Sequence, residues 1–519
     1  MKELQNIKPR KYQQEIYETC LKKNCLVVLP TGLGKTLIAL MLSIQRIKDF
    51  PLKKILILAP TKPLAEQHLE SFTKNLPELW ADIELFTGKV KPEKRKKIWN
   101  TASIIFSTPQ CIANDLKNNL YNLKEVSLLI EDEAHRCVKN YDYNYIAKKY
   151  FKESTTPRLV GLTASPGSDT KKIKEICENL SIEEVELRTR NSSDVIEYLQ
   201  ELEFNKKELE LPKEFNELRT LLKQIYVEYT EELRKKNFLF GPDNKISLIE
   251  LQKKLIAQMN RSFSNPQNYI AMSLTAQAIK LSHAIELLET QTLESFMKYL
   301  KNIFSQAEKK QSRGVVKLAN RQDFNYIYAY TSKLLEAGQE HPKVEEIIRI
   351  IRDEKKENKE MKTIVFTQFR DTANIISKNL NKLGGIKSKV FVGQTKKNGI
   401  GLSQKDQKKM IDEFREKKIN VLCATCIAEE GLDIPEVNSV IFYEPVSSAI
   451  RSIQRRGRTA RLSKGKLIIL LTKNTKDEYS YYASRSREKK MEKSIQTIKN
   501  ELKLNGKLNS KKAIQKKLF

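Results

Sequence analysis

The chain has 519 residues, of which 40% are hydrophobic and 30% are charged. This apolar content is enough for several buried cores and excludes a chain that is disordered throughout. The 94 lysines and arginines outnumber 64 acidic residues, and the formal net charge of +30 predicts a polyanionic partner such as nucleic acid. No apolar run reaches the roughly 18 residues of a membrane-spanning helix, so we expect no membrane partner.

The start of the chain and the cysteines bear on the compartment. The first residues, MKELQNIKPRKYQQEI, lack the apolar segment of a secretory signal. Seven cysteines form an odd and sparse set, which favours a reducing compartment over a disulfide scaffold. Cys423 and Cys426 form one CxxC without a second pair, so we expect no structural zinc. These features predict an intracellular, cytoplasmic protein.

Between residues 24 and 165, short apolar runs alternate with amphipathic helical stretches. Runs of four to five apolar residues bounded by turn residues are typical of buried strands in a parallel sheet. The pattern predicts a first α/β domain over residues 1–187. The apolar runs lie at 25–29, 55–58, 103–106, 126–130 and 159–162.

A phosphate-binding loop is predicted between the first strand and the first long helix of this domain. Small residues there allow backbone N–H groups to surround phosphate oxygens at a helix N-terminus. Lys35 is expected to contact the β- and γ-phosphates, and the Thr36 hydroxyl to bind Mg²⁺. Only the second half of the general GxxxxGK[ST] pattern is present, because Leu29 stands at its first glycine. The loop residues are Pro30, Thr31, Gly32, Leu33, Gly34, Lys35 and Thr36.

A carboxylate pair follows the apolar run at 126–130. Asp132 is expected to hold Mg²⁺ through water, and Glu133 to take a proton from the attacking water. An acidic cluster after a strand is often only a solvated loop. Its place about a hundred residues after a phosphate loop, in the same α/β unit, favours the catalytic interpretation.

Residues 188–340 are predicted to form an inserted all-helical domain, because the segment is poor in glycine and proline and has helical periodicity. Within it, residues 295–321 carry seven basic side chains and one acidic side chain. Such a run is usually a solvated helix face. Because the rest of the chain is also basic, a nucleic-acid surface is the competing interpretation, with Lys309, Lys310 and Arg313 as candidate contacts.

The alternation of strands and helices returns after residue 341 and predicts a second α/β domain over residues 341–483. Residues 484–519 carry 12 basic and 3 acidic side chains, which favours a flexible basic arm, with an amphipathic helix as the alternative. The terminal sequence QKKLF is faintly similar to a sliding-clamp peptide but lacks its spacing and second aromatic residue. The apolar runs of the second domain lie at 363–366, 389–392, 420–423, 440–443 and 467–471.

Four ordered motifs resemble motifs I, II, III and VI of superfamily 2 helicases: PTGLGKT at 30–36, DEAH at 132–135, TASP at 163–166 and QRRGRTAR at 454–461. Other segments are similar to the helicase part of archaeal Hef, a DEAH-box relative of FANCM and Mph1. The resemblance covers nearly all of residues 1–475 and implies two RecA-like parallel-sheet domains around the helical insert. The segments are FVGQ at 391–394, AEEGLDIP at 428–435, YEPV at 443–446 and HAIELLET at 283–290.

The resemblance also implies roles for residues around the nucleotide. Gln13 would read the adenine edge, and Thr163 and Ser165 would couple the nucleotide state to domain closure. In the second α/β domain, Gly431 and Asp433 would lie near the ribose. Across the cleft, the γ-phosphate would be approached by Gln454, Arg458 and Arg461.

An arginine finger is worth ~10³–10⁵ in rate, which gives residues 455–461 a physical reason to face the nucleotide. A basic turn that binds nucleic acid is the alternative for this segment, and Arg455 is a candidate for a structural role. Contacts to a nucleic-acid backbone are expected from short hydroxyl side chains and cations at strand ends. In the motifs that match the family these are Thr61, Thr108, Arg370 and Thr425.

The resemblance implies an ATP-dependent DNA helicase or translocase, using ATP and Mg²⁺, that remodels branched DNA such as stalled forks and Holliday junctions in DNA repair. Such an enzyme would be associated with the nucleoid. The sequence lacks the ERKxxxD nuclease motif and the helix-hairpin-helix repeats of full-length Hef, which makes a separate XPF-type nuclease chain a candidate partner. Two alternatives stay open: a double-stranded-RNA-directed ATPase of the same superfamily, and a DNA-binding scaffold switched by ATP.

Overall fold

The computed structural model describes residues 4, 7–76, 81–199, 201–260, 265–393, 401–425, 434–456, 459 and 464–505. These residues form two parallel sheets and a helical bundle. No helix in these ranges combines the length and apolar character that a membrane crossing needs.

The first α/β domain contains a seven-stranded parallel sheet in the order β3-β4-β2-β5-β6-β1-β7. Alternate strand residues enter two cores, with Leu26 and Val28 on one face and Cys25 and Val27 on the other. The strands are β1 (Cys25–Val28), β2 (Lys54–Leu58), β3 (Ile83–Phe86), β4 (Ile104–Ser107), β5 (Val126–Asp132), β6 (Leu159–Thr163) and β7 (Glu184–Leu187). The helices are α1 (Lys11–Lys22), α2 (Lys35–Asp49), α3 (Lys62–Asn75), α4 (Pro92–Thr101), α5 (Pro109–Lys117), α6 (Asp142–Glu153), α7 (Thr170–Asn179) and α8 (Ser193–Ile196), with a 3₁₀ turn at Ala134–Arg136.

The chain then forms strand β8 (Leu202–Leu209) and a bundle of six helices. Leucine, isoleucine and phenylalanine side chains at helical spacing fill the bundle core. The bundle helices are α9 (Lys213–Lys235), α10 (Lys245–Met259), α11 (Pro266–Thr290), α12 (Leu293–Glu308), α13 (Arg313–Ala319) and α14 (Gln322–Glu336).

The second α/β domain contains a six-stranded parallel sheet in the order β10-β11-β9-β12-β13-β8. Its later strands are β9 (Thr363–Phe366), β10 (Ser388–Phe391), β11 (Val421–Ala424), β12 (Ser439–Phe442) and β13 (Gly465–Thr472). Its helices are α15 (Pro342–Glu357), α16 (Arg370–Leu380), α17 (Gln404–Arg415) and α18 (Ala449–Arg456), and α19 (Lys476–Asn505) follows β13.

The expectation that residues 188–340 are entirely helical is wrong at β8. This strand pairs in parallel with β13 along its whole length, from Leu202 opposite Gly465 to Leu209 opposite Thr472. Apart from Phe204, its exposed side chains are charged, as is usual for an edge strand, so the apolar pattern of a buried strand is absent. Because the bundle lies between β8 and β9, it is an insertion within the second α/β domain.

The expectation of a flexible basic arm from residue 484 is also wrong for residues 484–505. They continue α19, whose Met491, Ile495, Ile498 and Leu502 are buried in a core of the first α/β domain. These apolar residues recur at helical spacing among lysines, so the alternative prediction of an amphipathic helix describes them correctly. Residues 506–519, including the QKKLF terminus, lie outside the described residues.

Candidate nucleotide site and nucleic-acid surface

The phosphate loop follows β1, and two side chains of α1 form hydrogen bonds with it. The Tyr12 hydroxyl donates a hydrogen bond to the Leu33 carbonyl at 2.8 Å, and Gln13 Nε2 donates to the same oxygen at 3.0 Å. Gly34 has φ +83°, and a Cβ there would lie 2.3 Å from Gln13 Nε2, so only glycine fits. Gln13 therefore supports the loop, and its contact with an adenine edge stays a prediction.

Lys35 and Thr36 occupy the first turn of α2, where the backbone N–H groups and dipole of a helix N-terminus favour an anion. The Lys35 ammonium donates a hydrogen bond to the Leu29 carbonyl at 2.9 Å. This contact holds the Lys35 ammonium next to the loop in which it is predicted to contact phosphate.

Asp132 ends β5 and is buried. One carboxylate oxygen lies 2.8 Å from His68 Nε2 on α3, and the other accepts a hydrogen bond from the Glu133 N–H at 2.9 Å. Burial opposes ionisation, but the contact with His68 and the charge of Lys35 lower the pKa of Asp132 below its ordinary value. Tyr143 fixes the strand end by donating to the Asp132 carbonyl at 2.7 Å.

Glu133 adopts a left-handed backbone conformation, with φ 51° and ψ 46°. A glutamate in this conformation carries backbone strain, a feature concentrated at functional sites. Its carboxylate lies 3.2 Å from His135 Nδ1, and the same nitrogen lies 3.2 Å from the Thr163 hydroxyl. His135 therefore joins the predicted base to the end of β6.

The contacts continue from β6 into α19. Ser165 N–H donates a hydrogen bond to the Thr163 hydroxyl at 3.1 Å, and that hydroxyl donates to the Ser165 carbonyl at 3.1 Å. The Ser165 hydroxyl donates to Met491 Sδ at 2.9 Å. The predicted coupling residues Thr163 and Ser165 thus lie between the DEAH segment and a helix that begins in the second α/β domain.

The second α/β domain approaches this region through α18. A Cβ atom added to Gly167 would lie 3.7 Å from Ile450 Cδ1 on α18. Ile453, on the same helix, lines a cavity of about 380 Å³ together with Pro30, Ala164 and Met491. Arg455 is buried, with its guanidinium 4.9 Å and 5.5 Å from the rings of Phe366 and Phe442, which confirms a structural role.

Gln454 is 2% exposed, and neither polar atom of its amide has a hydrogen-bond partner in the described structure. Because a buried amide is normally paired, this side chain is suited to a ligand or to a closed cleft. The other residues predicted to reach the nucleotide from this domain, Gly431, Asp433, Arg458 and Arg461, lie outside the described residues.

The side chains predicted to bind Mg²⁺ have suitable chemistry for a hydrated ion. Mg²⁺ prefers oxygen ligands and keeps several waters, so one hydroxyl and one carboxylate suffice beside nucleotide phosphates. Asp132 is held ionised and keeps lone pairs beyond its two hydrogen bonds, and Thr36 lies half-buried on the first turn of α2. In the described ranges no three His, Cys, Asp or Glu side chains cluster around a metal position.

The predicted backbone-binding residues follow strand ends of the two sheets. Thr61 and Thr108 are the N-caps of α3 and α5, after β2 and β4. Arg370 is the first residue of α16 after β9, and Thr425 directly follows β11. Helix N-termini offer backbone N–H groups to phosphate oxygens, which is consistent with the predicted contacts.

The basic stretch of the bundle divides into two groups. Lys298 pairs with Asp371 at 2.6 Å, and Arg321 pairs with Glu228 at 2.8 Å, so these cations have structural partners. Lys309, Lys310 and Arg313 are exposed around the turn between α12 and α13. Their contact with nucleic acid stays a prediction.

Three family models match successive parts of the chain. The DEAD/DEAH box helicase family matches residues 10–173, and the helicase conserved C-terminal domain matches residues 342–463. A family described as "putative ATP-dependent RNA helicase, helical bundle" matches residues 214–338. These matches agree with the three folded parts.

The crystal structure of the Pyrococcus furiosus Hef helicase domain has 42% sequence identity and a TM-score of 0.72, covering 92% of this chain and 98% of that chain. The chain belongs to the Hef-type DEAD/DEAH-box helicases. The predicted fold class, two RecA-like parallel-sheet domains with a helical insertion, is confirmed.

Curated relatives of this Hef-type chain are longer. A putative ATP-dependent RNA helicase of Methanocaldococcus jannaschii is 38% identical over 95% of this chain. A putative ATP-dependent DNA helicase of Schizosaccharomyces pombe, fml2, is 33% identical over 90% of this chain. The chain spans 61% of the length of each.

Four residues of the Hef-type site were not predicted from sequence. Tyr12 adjoins Gln13, so its position in the same segment was a usable signal. Tyr143 lies 11 positions after Asp132, whereas His68 and Met491 reach the site from segments 64 and 326 positions away from their partners. No local pattern indicates such contacts.

Proposed function

We propose that this Hef-type chain is an ATP-dependent DNA helicase or translocase that binds and remodels branched DNA in repair. The observation that carries the proposal is the series of contacts from Glu133 through His135 and Thr163 to Ser165. It links the predicted hydrolytic base to the segment facing α18. Hydrolysis can therefore be coupled to movement of the second α/β domain.

The chemistry divides between the two α/β domains. Lys35 exchanges the Leu29 carbonyl for phosphate oxygens, and Glu133 accepts the proton of the attacking water. Thr36, and Asp132 through water, would hold Mg²⁺, which would supply positive charge against the phosphates. Gln454, Arg458 and Arg461 stabilise the transferring phosphoryl group when the cleft closes. Separating these groups makes hydrolysis depend on closure.

DNA as the substrate is supported by the net charge of +30 and by the name of the fission-yeast relative, a putative ATP-dependent DNA helicase. Stalled forks and Holliday junctions are the proposed targets. A separate XPF-type nuclease chain is the proposed partner, as the resemblance to Hef implies. A sliding clamp is the weaker partner proposal.

The test is an ATPase and strand-displacement assay on linear, forked and four-way DNA, with matched RNA controls. We expect the greatest stimulation from forked or four-way DNA. Lys35→Ala should lower the ATPase rate by at least about 10²-fold, because it removes a charge aimed at the transferring group. ATP-independent remodelling by Lys35→Ala at the wild-type rate would support the scaffold alternative.

A second candidate is an ATPase directed to double-stranded RNA. It is favoured by the names of the Methanocaldococcus jannaschii relative and of the helical-bundle family, both of which refer to RNA helicases. Stronger stimulation by duplex RNA than by forked DNA, in the same assay, would replace the DNA proposal.

Lys309, Lys310 and Arg313 are proposed to grip DNA from the bundle. Their joint replacement by alanine should weaken fork binding more than basal ATP hydrolysis. Binding is measured by fluorescence anisotropy on labelled forks. The charge-matched control is Arg352→Ala with Lys356→Ala and Lys359→Ala, on and after α15. Equal losses of binding and basal hydrolysis would contradict the assignment.

A further inference from the structure

Helix α19 connects the two α/β domains along one of its faces. Tyr481, near its start, is buried in the core of the second domain. Met491, Ile495, Ile498 and Leu502 are buried in the core of the first. Ser494 and Glu501 add a hydroxyl contact to Thr170 at 2.8 Å and an ion pair to Lys174 at 2.7 Å.

The opposite face of α19 carries a cationic groove. It is lined by one aromatic residue, one serine and four cations, and the cations recur every three or four positions on one side of the helix. Among the residues that the structure describes, none of the lining side chains is acidic. The lining residues are Tyr482, Arg485, Ser486, Lys489, Lys490 and Lys493.

The acidic residues of this part of α19 point elsewhere. Glu488 and Glu492 line the cavity that contains Pro30 and Ala164. In an ordinary solvated helix, charges of both signs are interspersed and pair at three or four residues' spacing. Here Lys489, Lys490 and Lys493 lie apart from both glutamates, and Arg485 is the one cation of the groove that also shares a cavity with Glu488, so a mixed solvated surface does not explain the groove.

Aromatic contacts also hold one cation of the groove in place before any ligand binds. The Arg485 guanidinium lies 5.5 Å from the Tyr481 ring centre and 5.9 Å from that of Phe204. Tyr482 is 54% exposed beside it. Cations one helical turn apart are separated by about 6 Å, close to twice the ~3.4 Å rise per phosphate of a DNA strand.

We propose that this face of α19 binds the phosphate backbone of a duplex arm of DNA, and that Met491 communicates this binding to Ser165. The inference rests on the proposed DNA function and adds a surface to it. The groove is distinct from the strand-end residues Thr61, Thr108, Arg370 and Thr425. Met491 adjoins Lys490, so movement of the groove is transmitted to the Ser165 hydroxyl.

The first test replaces Lys489, Lys490 and Lys493 together by alanine. Fork affinity should fall at least about tenfold at physiological salt, and the slope of log affinity against log salt should become shallower by about 2–3. The control is again Arg352→Ala with Lys356→Ala and Lys359→Ala, which removes the same charge. The proposal would be overturned if both variants lost the same fork affinity, or if the triple-lysine variant lost none. It would also be overturned if the triple-lysine variant lost affinity for duplex RNA but not for DNA.

The second test is Met491→Leu, which keeps the apolar volume and removes the sulfur acceptor. Met491 is a positioning residue, so fork affinity and melting temperature should stay at wild-type values. The ratio of DNA-stimulated to basal ATPase should fall about two- to tenfold, as expected for loss of one hydrogen bond. An unchanged ratio would overturn the communication through Met491.

The experiments distinguish failure of the proposed DNA function from failure of the groove's role in it. Wild-type protein that binds no DNA overturns the proposed function and this inference together. Wild-type protein that DNA stimulates, beside a triple-lysine variant with wild-type fork affinity, overturns only the role of the groove.

Discussion

The two α/β domains each bury a glutamate near the end of a central strand, in opposite surroundings. Glu131, in β5, is fully buried, and neither of its carboxylate oxygens has a hydrogen-bond partner in the described structure. Glu444, just after β12, accepts a hydrogen bond from the Gln368 N–H and lies near the charges of Lys343 and Arg455. One carboxyl group is isolated, and the other belongs to a network.

The surroundings set the protonation of each group. Burial raises the pKa of Glu131 well above its ordinary value, because its surroundings disfavour the charged carboxylate. Burial also raises the pKa of Glu444, to about 7, although Lys343 and Arg455 act in the opposite direction. The first domain surrounds its buried carboxyl group with apolar side chains that favour the neutral form, whereas the second places cations near its own.

The network of the second domain also has an architectural role. Lys343 is fully buried, forms an ion pair with Asp477 of α19 and donates a hydrogen bond to the Thr290 carbonyl of the bundle at 3.2 Å. His341 Nε2 lies 3.2 Å from the Glu289 carbonyl. Buried polar contacts of this kind fix one arrangement, so the bundle is attached to the second domain as a unit.

Removing the central cation should have the largest effect. Lys343→Ala leaves Asp477 buried without its partner, and we expect a loss of about 3–5 kcal/mol in the free energy of unfolding. Urea denaturation measures it. The double variant Lys343→Met with Asp477→Leu, which replaces both charges by apolar groups, should recover much of the loss. A loss below about 1 kcal/mol for the single variant would contradict the network.

Glu444 should make stability depend on pH. Because its folded pKa of about 7 exceeds the unfolded value, its contribution is complete below the unfolded pKa and is lost as the pH rises through about 7. Relative to Glu444→Gln, the wild type should lose about 3 kcal/mol between pH 4.5 and 8, at about 1.4 kcal/mol per unit of pKa shift. Thermal melting of both proteins across this range measures the difference. Parallel curves would refute it.

The unpaired carboxyl group of Glu131 should lower the stability of the first domain. Glu131→Leu is expected to raise the free energy of unfolding by about 1–3 kcal/mol, because it removes a buried polar group that has no partner. Glu131→Gln, which keeps a buried polar group, should give little gain and serves as the control. A destabilised leucine variant would show that Glu131 has a partner in solution.

An exposed ion pair between the bundle and the second α/β domain should contribute least to the free energy of unfolding. Lys298 and Asp371 join the bundle to α16 at 2.6 Å, but the lysine side chain is 54% exposed. Lys298→Ala is expected to change the free energy of unfolding by less than about 1 kcal/mol, because exposed ion pairs are weak. A loss as large as that of Lys343→Ala would remove the distinction between buried and exposed contacts.

The sequence predicts the parts of this molecule that depend on local patterns. Five strands of each sheet coincide with predicted apolar runs, and Gly34, Lys35, Asp132 and Glu133 lie at the loop and the strand end that the motifs indicate. β3 and β7 contain glutamates and match none of the predicted runs. β8 escapes prediction because its partner β13 is more than 250 positions away and its own side chains are mostly polar. The contact of Met491 with Ser165 likewise depends on packing between distant segments, which no local pattern encodes.

The packing of α19 has a consequence for folding during synthesis. The first α/β domain ends its own sheet at Leu187, but Ile495, Ile498 and Leu502 complete one of its cores. At 5–20 residues per second, the ribosome needs about 15–60 s to make the intervening segment of roughly 300 residues. Throughout that interval, the nascent first domain exposes an apolar face, which makes it a candidate substrate for chaperones that bind emerging chains.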